Sequence, residues 1–169
     1  MRVKFYFLVG IAIIFACNGA FGQSSQYRFS HLDITNGLSH NQVNSIFKDS
    51  QGFMWFGTAS GLNRYDGYNF KLFKHDASNK SSISDDFVYK IFEGPGKKLW
   101  ISTRGGYCFY DPETEQFNSD MQPLLRSLKL PGYPLVSKIV RSGSADFWFL
   151  IPDSGIYRYN WQSKLHELG

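Results

Sequence analysis

Apolar residues along the chain gather in short runs, and polar turn residues separate them. Val43–Lys48, Phe53–Thr58, Gly61–Tyr65 and Asn69–Lys74 each have the length and composition of a strand. Between the first two lies Asp49-Ser50-Gln51-Gly52, a turn that opens on an amide-accepting carboxylate and closes on a glycine able to take positive φ. Asp66-Gly67 reads as a two-residue hairpin. The strands are apolar on both faces, as in Phe53-Met54-Trp55-Phe56, whereas a sheet with one wet face would alternate. Each sheet is therefore expected to lie between others of its kind.

The pattern recurs. Val43–Asp66 shifted by 45 positions places Val43 on Val88, Ile46 on Ile91, Phe47 on Phe92, Trp55 on Trp100, Thr58 on Thr103, Gly61 on Gly106, Tyr65 on Tyr110 and Asp66 on Asp111. A third copy comes at an offset of 48, then 49, with Val136, Ile139, Trp148, Gly155 and Tyr159 in the matching places and Asn160 in that of the aspartate. The second copy turns at Gly94-Pro95-Gly96-Lys97 and Asp111-Pro112-Glu113-Thr114. A period near 45 with four short antiparallel strands per copy is the mark of propeller blades. Helical repeats would show a helical period, and the leucine-rich and Trp-Asp patterns are missing. The expected fold is all-β: about three four-stranded antiparallel β-propeller blades in an incomplete ring. Its expected parts are a signal peptide at 1–22, a lead-in strand and turn at 23–42 and blades at 43–80, 81–120 and 136–169. An irregular insertion at 121–135 has room for one helical turn.

The first segment changes how charge and length are read. Arg2 and Lys4 precede an uncharged apolar run from Phe5 to Ala16, too short to cross a bilayer, and Ala20-Phe21-Gly22 offers small residues for cleavage before Gln23. Secretion to the periplasm is expected, with no membrane span in the mature chain. An uncleaved anchor, or a lipoprotein signal ending at Cys17, is the alternative. Without this segment the charge is nearly neutral, sixteen basic against fourteen acidic side chains, and no basic cluster suggests a nucleic-acid partner. Cys108 would be the sole cysteine left, which forbids an internal disulfide, and its apolar neighbours mark it as a small buried hydrophobe.

A family resemblance rests on three stretches: Gly37–Val43, Ile46–Thr58 and Gly61–Gly67. Together with the opening Phe29–Asp33 and the linker through Ser81–Asp86, they resemble the two-component regulator propeller repeat. The resemblance covers about residues 27–160. It is strong in the first copy and degenerate in the third. It implies periplasmic seven-bladed propellers of hybrid two-component sensors, found mostly in Bacteroidetes, whose usual ligands are oligosaccharides from glycan breakdown. In such sensors the propellers precede an immunoglobulin-like domain, a membrane helix, histidine kinase, receiver and DNA-binding domain. This sequence carries none of those later motifs. It therefore resembles an N-terminal fragment of such a sensor, with 147 residues after the signal amounting to about three blades.

The resemblance implies ligand sensing without catalysis, with downstream propeller or kinase domains, or further copies, as partners. The candidate ligand residues are Ser60, Arg104 and Asp153 in the loops between second and third strands, and His75 in a connection between blades. Arg104 stands out because the corresponding residue differs in each copy, and its guanidinium can hold a carboxylate or sulfate on a sugar. A solvated loop charge is the plainer alternative. Trp55, Trp100 and Trp148 could stack on sugars, but their place in buried strands favours packing between blades. Tyr65, Tyr110 and Tyr159 are read as closing the third strand, and Gly61, Gly106 and Gly155 as serving the turn before it. No cofactor or metal is implied, since His31, His40, His75 and His166 are scattered. Asp85-Asp86 point to opposite sides of a strand start and make a poor glycosidase pair. The alternatives kept open are a fragment of a propeller-type lyase and a structural adhesion or interaction module.

Overall fold

The computed structural model describes residues 29–131, 136–143, 145–162 and 165–168. The expected signal peptide lies outside them. The chain divides into two units, Met1–His31 and Leu32–Gly169, and every described strand belongs to the second.

Three four-stranded antiparallel sheets succeed one another, each built from consecutive strands in sequence order. The first holds β1 (Val43–Lys48), β2 (Met54–Thr58), β3 (Gly61–Tyr65) and β4 (Phe70–Phe73). The second holds β5 (Val88–Glu93), β6 (Leu99–Thr103), β7 (Gly106–Asp111) and β8 (Gln116–Asn118). The third holds β9 (Lys138–Ser142), β10 (Asp146–Ile151), β11 (Gly155–Asn160) and β12 (Leu165–Leu168). Register repeats with the sequence: Trp55 faces Arg64, Trp100 faces Phe109 and Trp148 faces Arg158. Even the irregularity recurs, with pairing slipping between Val43 and Ser45 in β1 and between Val88 and Lys90 in β5.

Local chemistry sets the turns. Asp49 Oδ1 accepts the amides of Gln51 and Phe53, and Oδ2 accepts Trp55 Nε1 at 2.7 Å. At the matching place in the second sheet, Gly94 leaves room for the Trp100 indole, which any Cβ there would strike. Gly61, Gly106 and Gly155 have φ of 122°, 106° and 116°, a backbone state that only glycine takes without strain. The hairpin expected at Asp66-Gly67 sits one residue later. Asp66 N donates to Asn69 O and the Asp66 carboxylate accepts the Tyr68 and Asn69 amides, so Gly67 and Tyr68 are the central pair.

The lead-in differs from the expected outline over its described residues. No strand precedes Val43 among the described residues. Instead Asp33 caps a 3-10 turn, Ile34–Asn36, by accepting Thr35 N while Asn36 Oδ1 accepts Asp33 N. The insertion contains a short helix, α1 (Gln122–Ser127), with no side-chain hydrogen bond from its N-cap. Burial holds it: Leu125 and Leu128 sink into the core beside it.

The hydrophobic core lies between sheets. The first seam gathers Trp55, Leu62, Val88, Ile91, Leu99, Ile101, Tyr110 and Phe117. Trp55 meets Tyr110 at 5.1 Å and Phe73 at 5.8 Å, and Gly57 admits Val88, which a Cβ would displace. The second seam gathers Phe92, Trp100, Ile139, Phe147, Phe149, Ile151 and Tyr159 with Met121, Leu125, Leu128 and Leu130 of the insertion. Trp55 and Trp100 are 1% and 3% exposed. Trp148 departs from the expected packing between blades: it is 36% exposed, because no described sheet lies against its face of β10.

Candidate functional site

The loops between second and third strands are held by the same hydrogen-bonded latch in the first two sheets. Thr58, fully buried, donates from Oγ1 to Gly61 O, accepts Ser60 N, and shares a hydrogen bond with the Ser39 hydroxyl at 2.9 Å. Thr103 does the same with Gly106 O, Gly105 N and the Ser84 hydroxyl. The third sheet has Ile151 in that position and no hydroxyl to make the latch. Asn63 closes the first latch from behind, donating to Ser39 Oγ and accepting Ser39 N. Cys108 occupies the corresponding place in the second sheet, buried against Ser84, and burial pushes its thiol above the ordinary range.

Three of the four candidate ligand residues come together along the connection between the first two sheets. Ser60 Oγ accepts Lys74 Nζ at 3.4 Å. His75 donates its backbone N–H to Asp86 Oδ1, and its ring Nδ1 bonds Ile83 O at 2.8 Å. Asp86 O in turn accepts Gly61 N. Asp85 Oδ1 accepts Phe87 N, while its Oδ2 holds Arg104 Nε at 3.3 Å. The Arg104 backbone donates to Phe87 O. His75 is thus committed to shaping the connection, with its ring spent on a main-chain carbonyl. Arg104 is anchored through one nitrogen, and its side chain stays 68% exposed. Asp153 occupies the matching hairpin of the third sheet, exposed, at φ 58°. Asp76, nearby in sequence, is held below the usual carboxylate range by the Ser78 hydroxyl and amide.

The opposite hairpin ends carry a cluster the sequence did not suggest. Arg64 lies over the Phe53 ring at 4.6 Å and donates to Glu115 Oε1 at 2.8 Å and Tyr110 Oη at 3.2 Å. Lys71 pairs with the other Glu115 oxygen. These partners, Lys71 first, hold the Glu115 carboxyl below its ordinary value, and burial pushes the Tyr110 phenol up to about 12. Tyr65 instead donates to Gly67 O of its own turn. Between the second and third sheets, a cleft of about 300 Å3 is lined by Trp100, Phe109, Leu124, Leu128 and the exposed Trp161. Trp161 and α1 fall where the third copy and the insertion lose the repeat pattern, so the period could not flag them.

The stacked sheets and their latched hairpins define a class: consecutive blades of a β-propeller. The family model described as two component regulator propeller matches residues 37–60, the stretch that contains Ser39, Thr58 and the first hairpin loop. Over 62 residues the chain is 37% identical to Histidine kinase P4 of Formosa agariphila, covering 37% of this chain and 4% of that protein. It is similar in structure to the extracellular domain of a hybrid two component system from B. thetaiotaomicron, with a TM-score of 0.60 and 28% identity over 85% of this chain and 20% of that one. The extracellular domain of a one component system from the same organism shares the fold, at a TM-score of 0.51 and 24% identity over 82% of this chain and 20% of that one. The chain therefore spans a small part of the proteins it matches. Its likeness is to the propeller-type extracellular domains of two-component sensors. No described helix is long and apolar enough to cross a membrane.

Proposed function

We propose that this chain is a periplasmic, ligand-sensing segment of a hybrid two-component sensor, that its ligand is an oligosaccharide derived from a glycan, and that it performs no catalysis. Export would depend on the segment at residues 1–22. One observation carries the ligand reading. A shared scaffold holds hairpin loops of different chemistry, Ala59-Ser60, Arg104-Gly105 and Pro152–Ser154, and Arg104 is anchored by Asp85 with its guanidinium extended into solvent. Such a group suits a carboxylate or sulfate on an acidic sugar. Sensing would then require that the ligand bind two arrangements of the parent protein with different affinity.

Calorimetry of the full chain with neutral and acidic oligosaccharides tests this. Binding without turnover is expected, and Arg104→Ala should weaken acidic ligands by about tenfold while sparing neutral ones. Turnover of any sugar would favour the lyase alternative, and failure of every sugar to bind would overturn the proposal.

A further inference from the structure

Trp55 and Trp100 hold the same strand position, yet only the first has its indole N–H satisfied. In the first sheet Asp49 Oδ2 accepts Trp55 Nε1 at 2.7 Å. The residue 45 positions after Asp49 is Gly94, and the Trp100 indole fills the space where a side chain there would begin. Trp100 Nε1 is left with no acceptor among the described residues, and it is not sealed from solvent although the residue is 3% exposed. A buried indole ordinarily finds a partner for this N–H. Trp100 lines the cleft of about 300 Å3 between the second and third sheets, together with Gly96 and Lys98 of the turn that Gly94 N closes onto Lys98 O. Phe109, Leu124, Leu128 and Trp161 supply its apolar remainder. The cleft belongs to the interior of the array: the second sheet has a sheet on either side, and Trp161 lies 6.2 Å from Tyr159 of the second seam. Lys98 Nζ spends one donor on Asp111 Oδ2 at 2.9 Å and lies 5.4 Å from the centre of the Phe109 ring. An ammonium has three donors, and this side chain is 42% exposed.

We propose that this cleft is a binding site for a small aromatic carboxylate. The ring lies among Phe109, Leu124, Leu128 and Trp161, and the carboxylate accepts from Trp100 Nε1 and Lys98 Nζ. The volume suits one ring with a short side chain, and a mostly apolar lining with a few polar groups is the usual make-up of such sites. Both polar groups at the Gly94–Lys98 turn are donors and one is charged, which selects an anionic acceptor over a hydroxyl or a cation. In the first sheet the chain itself supplies the carboxylate, from Asp49; in the second the ligand supplies it. The site sits at the other end of β6 from Arg104 and does not depend on the sensing role.

Proton–nitrogen NMR of the isotope-labelled full chain, titrated with hydrocinnamate, tests it. The indole N–H signals are assigned by single Trp→Phe substitutions. The Trp100 signal should move downfield and that of Trp161 should shift with it, saturating with a Kd of about 0.1–1 mM. The Trp55 signal, already bonded to Asp49, should stay in place. Hydrocinnamyl alcohol, which lacks the charge, and propionate, which lacks the ring, should each bind about tenfold more weakly or worse. Trp161→Ala and Lys98→Gln alter partly exposed side chains, so circular dichroism should be unchanged, with Trp161→Leu as a replacement if Trp161→Ala disturbs the fold. Each should weaken hydrocinnamate by about fivefold or more. The proposal fails if the Trp100 signal stays in place up to about 10 mM hydrocinnamate. It fails equally if Trp148 responds instead, if the alcohol binds as tightly as the acid, or if both variants bind as the parent chain does.

Discussion

The two seams join copies of one sheet and are closed by different means. The first is latched by polar groups: Asn44 Nδ2 donates to Val88 O, Ile91 N to Ser45 Oγ, Ser50 to Glu93, and Arg64 and Lys71 converge on Glu115. The second has fewer such ties among the described residues, chiefly Ile139 N to Tyr107 Oη and Arg141 to Glu93 O. It is filled instead by rings and by the insertion, with Trp100 5.5 Å from Phe147 and 5.9 Å from Phe149 while Leu125 and Leu128 close the side. A shared register therefore does not dictate a shared filling. The backbone sets where two sheets meet, and the residues that differ between copies decide whether polar bonds or apolar volume holds them.

The largest test of that contrast compares equivalent tryptophans on covered and uncovered faces. Trp100→Ala should cost about 3–5 kcal/mol in urea denaturation, as for other buried aromatic truncations. Trp148→Ala, at the same strand position on an uncovered face, should change stability by no more than about 0.5 kcal/mol in dilute solution. Similar losses at both would remove the distinction.

The latches come next. Thr58→Val keeps the side-chain shape but leaves the Ser60 amide and the Ser39 hydroxyl without their partner, and Thr103→Val does the same to Gly105 and Ser84. Each should cost about 1–3 kcal/mol and loosen its hairpin, read as faster amide exchange at Ser60 or Gly105. Loss of the Ser60 amide protection in the Thr103 variant would mean that the latches are not independent.

The smallest effect is expected at the exposed ion pairs of the first seam. Glu115→Gln should cost about 0–1 kcal/mol, with the difference shrinking at high salt. Its pH dependence has a definite sign. The Glu115 carboxyl titrates below its unfolded value of 4.5, so its contribution is complete above that pH and is lost as pH falls through the lower folded value. A Tm series in acid should therefore bring the variant and the parent chain together, and a gap that widened on acidification would contradict the assignment.

Much of the fold was legible because the repeat marks strands and turns with residues of distinct shape. The 45-residue offset between Trp55 and Trp100 reappears as the same strand pairing. The offset records a position, however, and not what covers it, which is why Trp148 shares a place with Trp100 but not its burial. The hairpin latch was half visible. Thr58 and Thr103 fell in the aligned window, whereas Ser39 and Ser84 obey the same offset but precede it. Glu115 was hidden because its partners lie 51 and 44 residues away and because, at φ 54°, it sits in a β7–β8 turn whose residues differ from those of the β3–β4 turn in the first copy. Of the candidate ligand residues, Arg104 keeps a reach into solvent, while the ring of His75 is taken up by Ile83 O, a bond between residues in an irregular connection that no strand pattern could reveal.

One repeated sheet presents its tryptophan to a neighbour twice and to solvent once. Fluorine NMR of the fluorotryptophan-labelled chain measures this directly, with resonances assigned by single Trp→Phe substitutions at a concentration where the chain is monomeric. Transfer from H2O to D2O should leave the Trp55 and Trp100 signals in place and shift that of Trp148. A Trp148 signal as insensitive as that of Trp100, or a Trp100 signal that shifts with solvent, would contradict the account.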